Sequence, residues 1–308
     1  QKPSDKPEYR PFLLDKSSST QPTELSLIYY IDGTCFNYDI KVSSECIEEE
    51  ELKLVQSRSS RIFYRYHNKE LDKVVINYGS ACDLSKSDQH DLEVNTLANA
   101  SVLSTFGALN LESQILSKNF DYFENHISMI HRSDKSLADK LQTGDPEKDR
   151  VLKNLLLRLL NDVGTNICDY VIEEASLNIS ELIANGAPDI VIKAMMEQYP
   201  SGVITHKNLR FIHSTKDGKS GLDFDLESLG TKNIIRLLVV LYDVVVGEKS
   251  TCIDEIEYGI HTKALAFILK MYLTIAENCQ LIVATHDLSL LNADFLRRDA
   301  VRLFEKDE

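Results

Sequence analysis

Residues 249–291 read KSTCIDEIEYGIHTKALAFILKMYLTIAENCQLIVATHDLSLL. Thr251-Cys252-Ile253 is a short apolar run of the length of a buried parallel strand, and it ends in the paired acids Asp254 and Glu255. Leu265, Ile268, Leu269, Tyr272 and Ile275 then recur at helical spacing. Leu281-Ile282-Val283-Ala284 makes a second buried strand that ends in Thr285, His286 and Asp287. The pattern predicts a βαβ unit with both polar clusters at the carboxyl ends of neighbouring strands. In open α/β sheets ligands sit at that edge.

The residue types suit one chemistry. A carboxylate at a strand tip can hold Mg²⁺, usually through water, because that ion keeps most of its hydration shell. The adjacent acid then faces an attacking water, which it can orient and deprotonate. A histidine on the next strand reaches a terminal phosphate. The plainer alternative is helix capping, with Asp254 opening one helix and Thr285 capping another. Two strand-end clusters at βαβ spacing favour the nucleotide site.

A third element lies one helix upstream. Glu227-Ser228-Leu229-Gly230-Thr231-Lys232 precedes Ile234, Leu237, Leu238 and Leu241 at helical spacing, and a loop follows at Gly247. Serine and glycine at a helix start leave N–H groups and the positive end of the dipole facing an anion. Taken alone, the hexapeptide reads as an ordinary serine N-cap.

Together ESLGT, CIDEIEYGIH, LIVATHD and the closing segment 295–307 resemble the bacterial ATP-binding proteins related to the OLD, SMC and Rad50 ATPases. Many of these act in phage defence or abortive infection. Pro11-Phe12-Leu13-Leu14-Asp15 is similar to that family's segment after the Walker A helix, so the resemblance runs nearly end to end. Thr262 departs from it, since the family usually has proline there. The resemblance implies an α/β fold: an ABC/SMC-head-type P-loop NTPase core with an antiparallel β subdomain and a helical insertion. It also implies ATP and Mg²⁺ as cofactors and a head-to-head dimer. Asp254 would hold the metal, Glu255 would be the catalytic base, and His286 would sense the γ-phosphate. Ser228, Gly230 and Thr231 would engage the nucleotide of the other subunit. Implied partners are a second copy of the chain and an effector such as a Toprim-type or other nuclease, with nucleic acid reached through that partner. A nucleotide-dependent or nucleotide-free scaffold and a Rad50- or RecF-like repair ATPase are the rival readings.

The 308 residues contain no G-x-x-x-x-G-K-[ST] phosphate loop. Gly218-Lys219-Ser220 comes nearest, but the position five before Gly218 is His213, and Lys216-Asp217-Gly218 has hairpin chemistry. In 247–251 a glutamate separates Gly247 from Lys249. The expectation is that the first strand, the phosphate loop and its helix precede the PFLLD segment.

At 308 residues and 43% hydrophobic composition the chain can bury a substantial core, and it has no apolar run approaching a membrane span. Its six cysteines lack CxxC spacing, which reads as reduced, cytoplasmic and non-metal. The net charge of −14 opposes a general nucleic-acid groove.

Three regions are expected: an antiparallel β subdomain over 1–90, a helical insertion over 91–202 with a linker near 133–150, and a C-terminal ATPase lobe over 203–308. Strands are expected at 25–31, 34–42, 47–55, 61–66 and 74–78, with Asp32-Gly33 as a two-residue hairpin turn. The acidic run 48–51 alternates faces in a strand and reads as a solvated edge. Residues 1–24 read as a surface connection apart from Phe12, Leu13 and Leu14. Helices are expected over 91–131 and from 147 to about 175, where Leu152, Leu155, Leu156, Leu159 and Leu160 form a leucine face. The pattern is too short for a coiled-coil arm. His126 and His131 lack acidic or cysteine partners at metal-ligand spacing.

Overall fold

The structure is a computed structural model; it describes residues 5–7, 9–15, 17–128, 137–184 and 186–305, with the side chain of His206 excepted. The chain forms two compact units, residues 1–127 and 128–308.

In the first unit five strands form an antiparallel meander in chain order: β1 (Thr23–Ile31), β2 (Thr34–Val42), β3 (Ile47–Val55), β4 (Ser59–Asn68) and β5 (Lys73–Tyr78). Ile31 pairs with Thr34 across a two-residue turn. Asp32 (φ 49°) and Gly33 (φ 74°) both lie in the left-handed region, which a type I′ turn requires. Helices α1 (Lys86–Asn95), α2 (Val102–Ala108) and α3 (Gln114–Asp121) follow, each capped by a serine side chain (Ser85, Ser101, Ser113). A π-helical turn over Tyr122–His126 extends α3. Leu92, Val102, Leu103, Phe106 and Leu116 pack with Tyr29, Phe36, Leu52, Ile62, Phe63 and Ile76 into one core.

Two expectations for this unit are corrected. The acidic run is not a solvated edge, because β3 lies between β2 and β4 and Glu50 is wholly buried. Phe12, Leu13 and Leu14, expected to be held in, are 60%, 75% and 87% exposed.

The two-residue β6 (Ile127–Ser128) stands where the units meet in sequence. In the second unit α4 (Leu137–Leu141) buries Leu137, Ala138 and Leu141 within the stretch expected to be a linker. Helix α5 (Pro146–Asp162) starts with Asp145 as cap and Pro146 in its first turn, and it buries Leu152, Leu156, Leu159 and Leu160. Beyond Gly164 (φ 87°) the expected helix is absent. The chain instead forms β7 (Ile167–Asn178), the largest correction to the sequence reading. After α6 (Ile179–Ala184) and α7 (Asp189–Gln198) comes β8 (Val203–Thr215), which pairs along nearly all of β7. β9 (Gly218–Asp223) completes that antiparallel sheet across the two-residue loop Lys216-Asp217. A short 3-10 turn (Phe224–Leu226) leads to α8 (Leu229–Val246). Then β10 (Ser250–Ile253), α9 (Thr262–Ile275) and β11 (Gln280–Val283) form the expected βαβ unit, with β10 and β11 parallel. The two strands are not buried as expected: Cys252, Ile282 and Val283 are exposed, β11 being the outer strand of its sheet. β10 lies between β11 and β6, and the Thr251 hydroxyl donates to the Ser128 carbonyl (2.9 Å). One core joins the leucine face of α5 to Ile235, Leu238 and Val244 of α8 and to Leu265 and Ile268 of α9.

His131 and residues 306 and 307 of the closing segment lie outside the described residues. All six cysteines are free. No helix among the described residues is long and apolar enough to cross a membrane.

Candidate functional site

The parallel register sets the site. Ile253 lies opposite Val283, so Asp254-Glu255 and Thr285-His286 leave the sheet side by side at its carboxyl edge. The ladder continues one step beyond the strands: the Ala284 N–H donates to Ile253 (2.9 Å) and the Ile256 N–H donates to Ala284 (3.2 Å). Between those two bonds the chain turns sharply at Glu255, whose φ of 48° is a left-handed conformation rare outside glycine. Such a backbone costs about 1–2 kcal/mol for an L-residue, and Asp32, Asp72, Glu248 and Asn278 adopt it as well. Asp254 and Glu255 are exposed, and one Asp254 oxygen accepts the Glu255 N–H (3.0 Å).

A residue not singled out in the sequence ties the two tips together. Glu257 Oε1 accepts the backbone N–H of His286 (2.8 Å), while Oε2 is buried without a hydrogen-bond partner. Burial opposes its ionisation, but the Thr285 hydroxyl and the His286 N–H outweigh that and hold its carboxyl below the usual range. The signal was its spacing, a third acid two residues after the strand-end pair, within reach of the neighbouring tip. Thr262, the first residue of α9, adds a second tie: its hydroxyl donates to Asp287 Oδ2 (2.7 Å). Proline, which the resemblance leads one to expect there, could not make that bond. Hydrogen bonds from the hydroxyls of Ser289 and Thr262 hold the Asp287 carboxyl low.

The first turn of α8 reaches the same edge. Ser228 caps it, accepting the Thr231 N–H (3.1 Å) and bonding the Thr231 hydroxyl (2.8 Å). The Asn233 side-chain amide donates to the Tyr258 carbonyl (2.8 Å). A Cβ added to Gly230 would stand 3.0 Å from the Gly259 carbonyl oxygen, a close approach that glycine accommodates without displacing segment 257–259. Segment 257–259 thus touches α8 on one side and the His286 turn on the other. Asp254, Glu255, His286 and the Ser228–Thr231 turn are gathered at one edge of one unit.

The donor set fits the groups that the fold implies. Exposed carboxylate oxygens at a strand tip are hard ligands of the kind Mg²⁺ prefers. The glycine-containing helix start, where N–H groups have no intrahelical acceptor, suits a phosphate. Among the described residues, this edge included, no group of three or more His, Cys, Asp or Glu is placed to hold a metal by itself.

Among curated proteins none matches the chain. It is similar to an SMC head in the crystal structure of that head bound to the C-winged helix domain of ScpA. The TM-score is 0.33 and the identity 10%, over 82% of this chain and 71% of that one. It is also similar to the recombination mediator RecF in the structure RecF-ATPrS of the RecFOR pathway. There the TM-score is 0.25 and the identity 10%, over 84% of this chain and 76% of that one. At such scores neither likeness bears on function. A family model described as "AAA domain, putative AbiEii toxin, Type IV TA system" matches residues 4–292. The match takes in the α8 turn and both strand tips, and the chain, a mixed α/β fold, belongs to this family of AAA domains.

Proposed function

We propose that the chain is the ATPase part of a protein that hydrolyses ATP in a head-to-head homodimer and thereby controls a partner effector in antiphage defence. The observation that carries the reading is the meeting of the Asp254-Glu255 tip, the His286 tip and the α8 turn at one sheet edge, in a chain of this family. Bound Mg²⁺ would neutralise charge on the terminal phosphates, with Asp254 as its ligand. Glu255, turned out of the sheet by its backbone, orients water and takes its proton. His286, its main chain fixed by Glu257, faces the γ-phosphate. Ser228, Gly230 and Thr231 present a helix start to the nucleotide of the second copy. The reading requires a phosphate loop, which these 308 residues do not contain. The effector, a Toprim-type or other nuclease, belongs to the proposal, as does any nucleic acid reached through it.

Glu255→Gln in the full-length protein tests the reading. It removes the base while keeping shape, so steady-state hydrolysis is expected to fall about 10²–10⁴-fold while ATP stays bound. Turnover within about threefold of the parent, measured by phosphate release, would remove Glu255 from the chemistry and with it the proposed site.

A further inference from the structure

Glu227, immediately before the Ser228 cap, is a carboxylate whose side chain is only 4% exposed. The helix does not need it as a cap, because Ser228 fills that role. A carboxylate this deeply placed persists only when paired. Its partner is His213 of β8, with Nε2 2.6 Å from Glu227 Oε1. The other ring nitrogen, Nδ1, lies 2.8 Å from the Asn166 side-chain oxygen. The orientation of that amide is fixed, since its NH₂ donates to the Ser214 carbonyl (3.1 Å) and a flipped amide would set oxygen against oxygen. Both ring nitrogens of His213 therefore lie within hydrogen-bond distance of an oxygen, which holds the ring between Asn166 and Glu227. The turn has further anchors: the Lys232 ammonium donates to the Asp225 carbonyl (2.8 Å), and the Arg236 guanidinium lies over the Phe224 ring.

We propose that the Asn166–His213–Glu227 chain is a positioning brace: it fastens the residue before the α8 cap to the β7–β8 sheet and so fixes how Ser228, Gly230 and Thr231 meet the nucleotide on a second copy. The inference rests on the dimeric ATPase reading. None of the three residues touches nucleotide. They act through the orientation of the helix start, so their loss weakens closure of the dimer and leaves nucleotide capture by the single subunit intact.

The test uses full-length protein carrying Glu255→Gln, in which ATP and Mg²⁺ are expected to drive stable self-association, measured by sedimentation. His213→Ala is added in one variant and Glu227→Gln, which keeps shape and removes charge, in another. Each is expected to weaken ATP-driven association at least tenfold. Binding of a fluorescent ATP analogue, at protein concentrations below association, is expected to change less than twofold, and amide exchange over 228–232 to rise. A merely structural role would lower nucleotide binding and association together and would overturn the brace. So would association within twofold of the parent in Glu227→Gln, whatever His213→Ala does. Failure of the parent itself to associate on ATP sinks the dimer reading, and the brace with it, whereas an associating parent with unaffected variants sinks the brace alone.

Discussion

Gly259 has a φ of 67°, and a Cβ there would stand 2.9 Å from the Asn233 amide nitrogen and 3.2 Å from Leu229 Cγ. That amide holds the Tyr258 carbonyl, so a group added at Gly259 displaces the Asn233 side chain and strains its bond to the segment. Gly259→Ala is expected to cost about 1–3 kcal/mol of stability, from the left-handed backbone and the displaced contact. Turnover should fall by a larger factor than stability explains, because the His286 turn depends on the same segment. A melting temperature and turnover both equal to the parent's would show that the close approach has no consequence. Around this residue the sequence was legible in part. The strand-end acids, His286 and the serine cap stood out because an apolar run ending in polar residues needs no knowledge of the third dimension. Glu257 did not, since its role depends on the parallel register that brings Thr285 and His286 alongside.

At the scale of elements, β3 shows where patterning alone stops. Its bounds, those of β2 and the turn between β1 and β2 follow from alternation and from Asp-Gly. Its place in the middle of the sheet does not, and that place turns Glu50 from a surface acid into a buried one. Glu50 accepts the Val102 N–H with both oxygens (2.9 and 3.1 Å) and the Tyr38 hydroxyl (2.9 Å), and its cross-strand neighbour is the buried Arg65. Arg65 donates to the carbonyls of Ile47, Leu97 and Ala98, which fastens β4 to the start of β3 and to the turn before α2. Glu50→Ala leaves the Val102 N–H and the Tyr38 hydroxyl unanswered in a buried place, with an expected loss of about 1–3 kcal/mol for each, readable by denaturant unfolding. Burial raises the Glu50 carboxyl above its usual range, against the hydrogen bonds and Arg65. A raised acid favours the fold most below its unfolded pKa, and that contribution fades as pH rises through the folded value. The other carboxylates are common to both chains, so on acidification the parent should lose less stability than an otherwise identical chain carrying Glu50→Ala, measured by denaturant unfolding at each pH. The strand β7 was missed for a related reason. Gly164 ends the leucine-faced helix, but Glu173-Glu174-Ala175-Ser176-Leu177 are acceptable helix residues, and pairing with β8 overrides their preference.

Across the whole molecule two apolar clusters share no residue. One lies within residues 29–123, around Phe63 and Leu52, and the other within 137–296, around Phe211 and Ile235. The sequence showed enough apolar residues for a large core, but not how they divide, because the division follows from which strands pair. Phe63 and Phe211 are each fully buried, so truncation of either to alanine should cost about 3–5 kcal/mol. Native-state amide exchange locates that cost. Phe211→Ala is expected to lower protection in β7, β8 and α8 and leave β2–β4 near the parent's values, and Phe63→Ala to do the reverse. The pattern matters for the proposed site, since all its residues lie in the second unit: Phe211→Ala should weaken ATP turnover through lost stability, whereas Phe63→Ala should spare it at temperatures where the second unit stays folded. Equal loss of protection in both units from either substitution would mean that the two cores unfold as one, and the site could then not be treated as the property of residues 128–308.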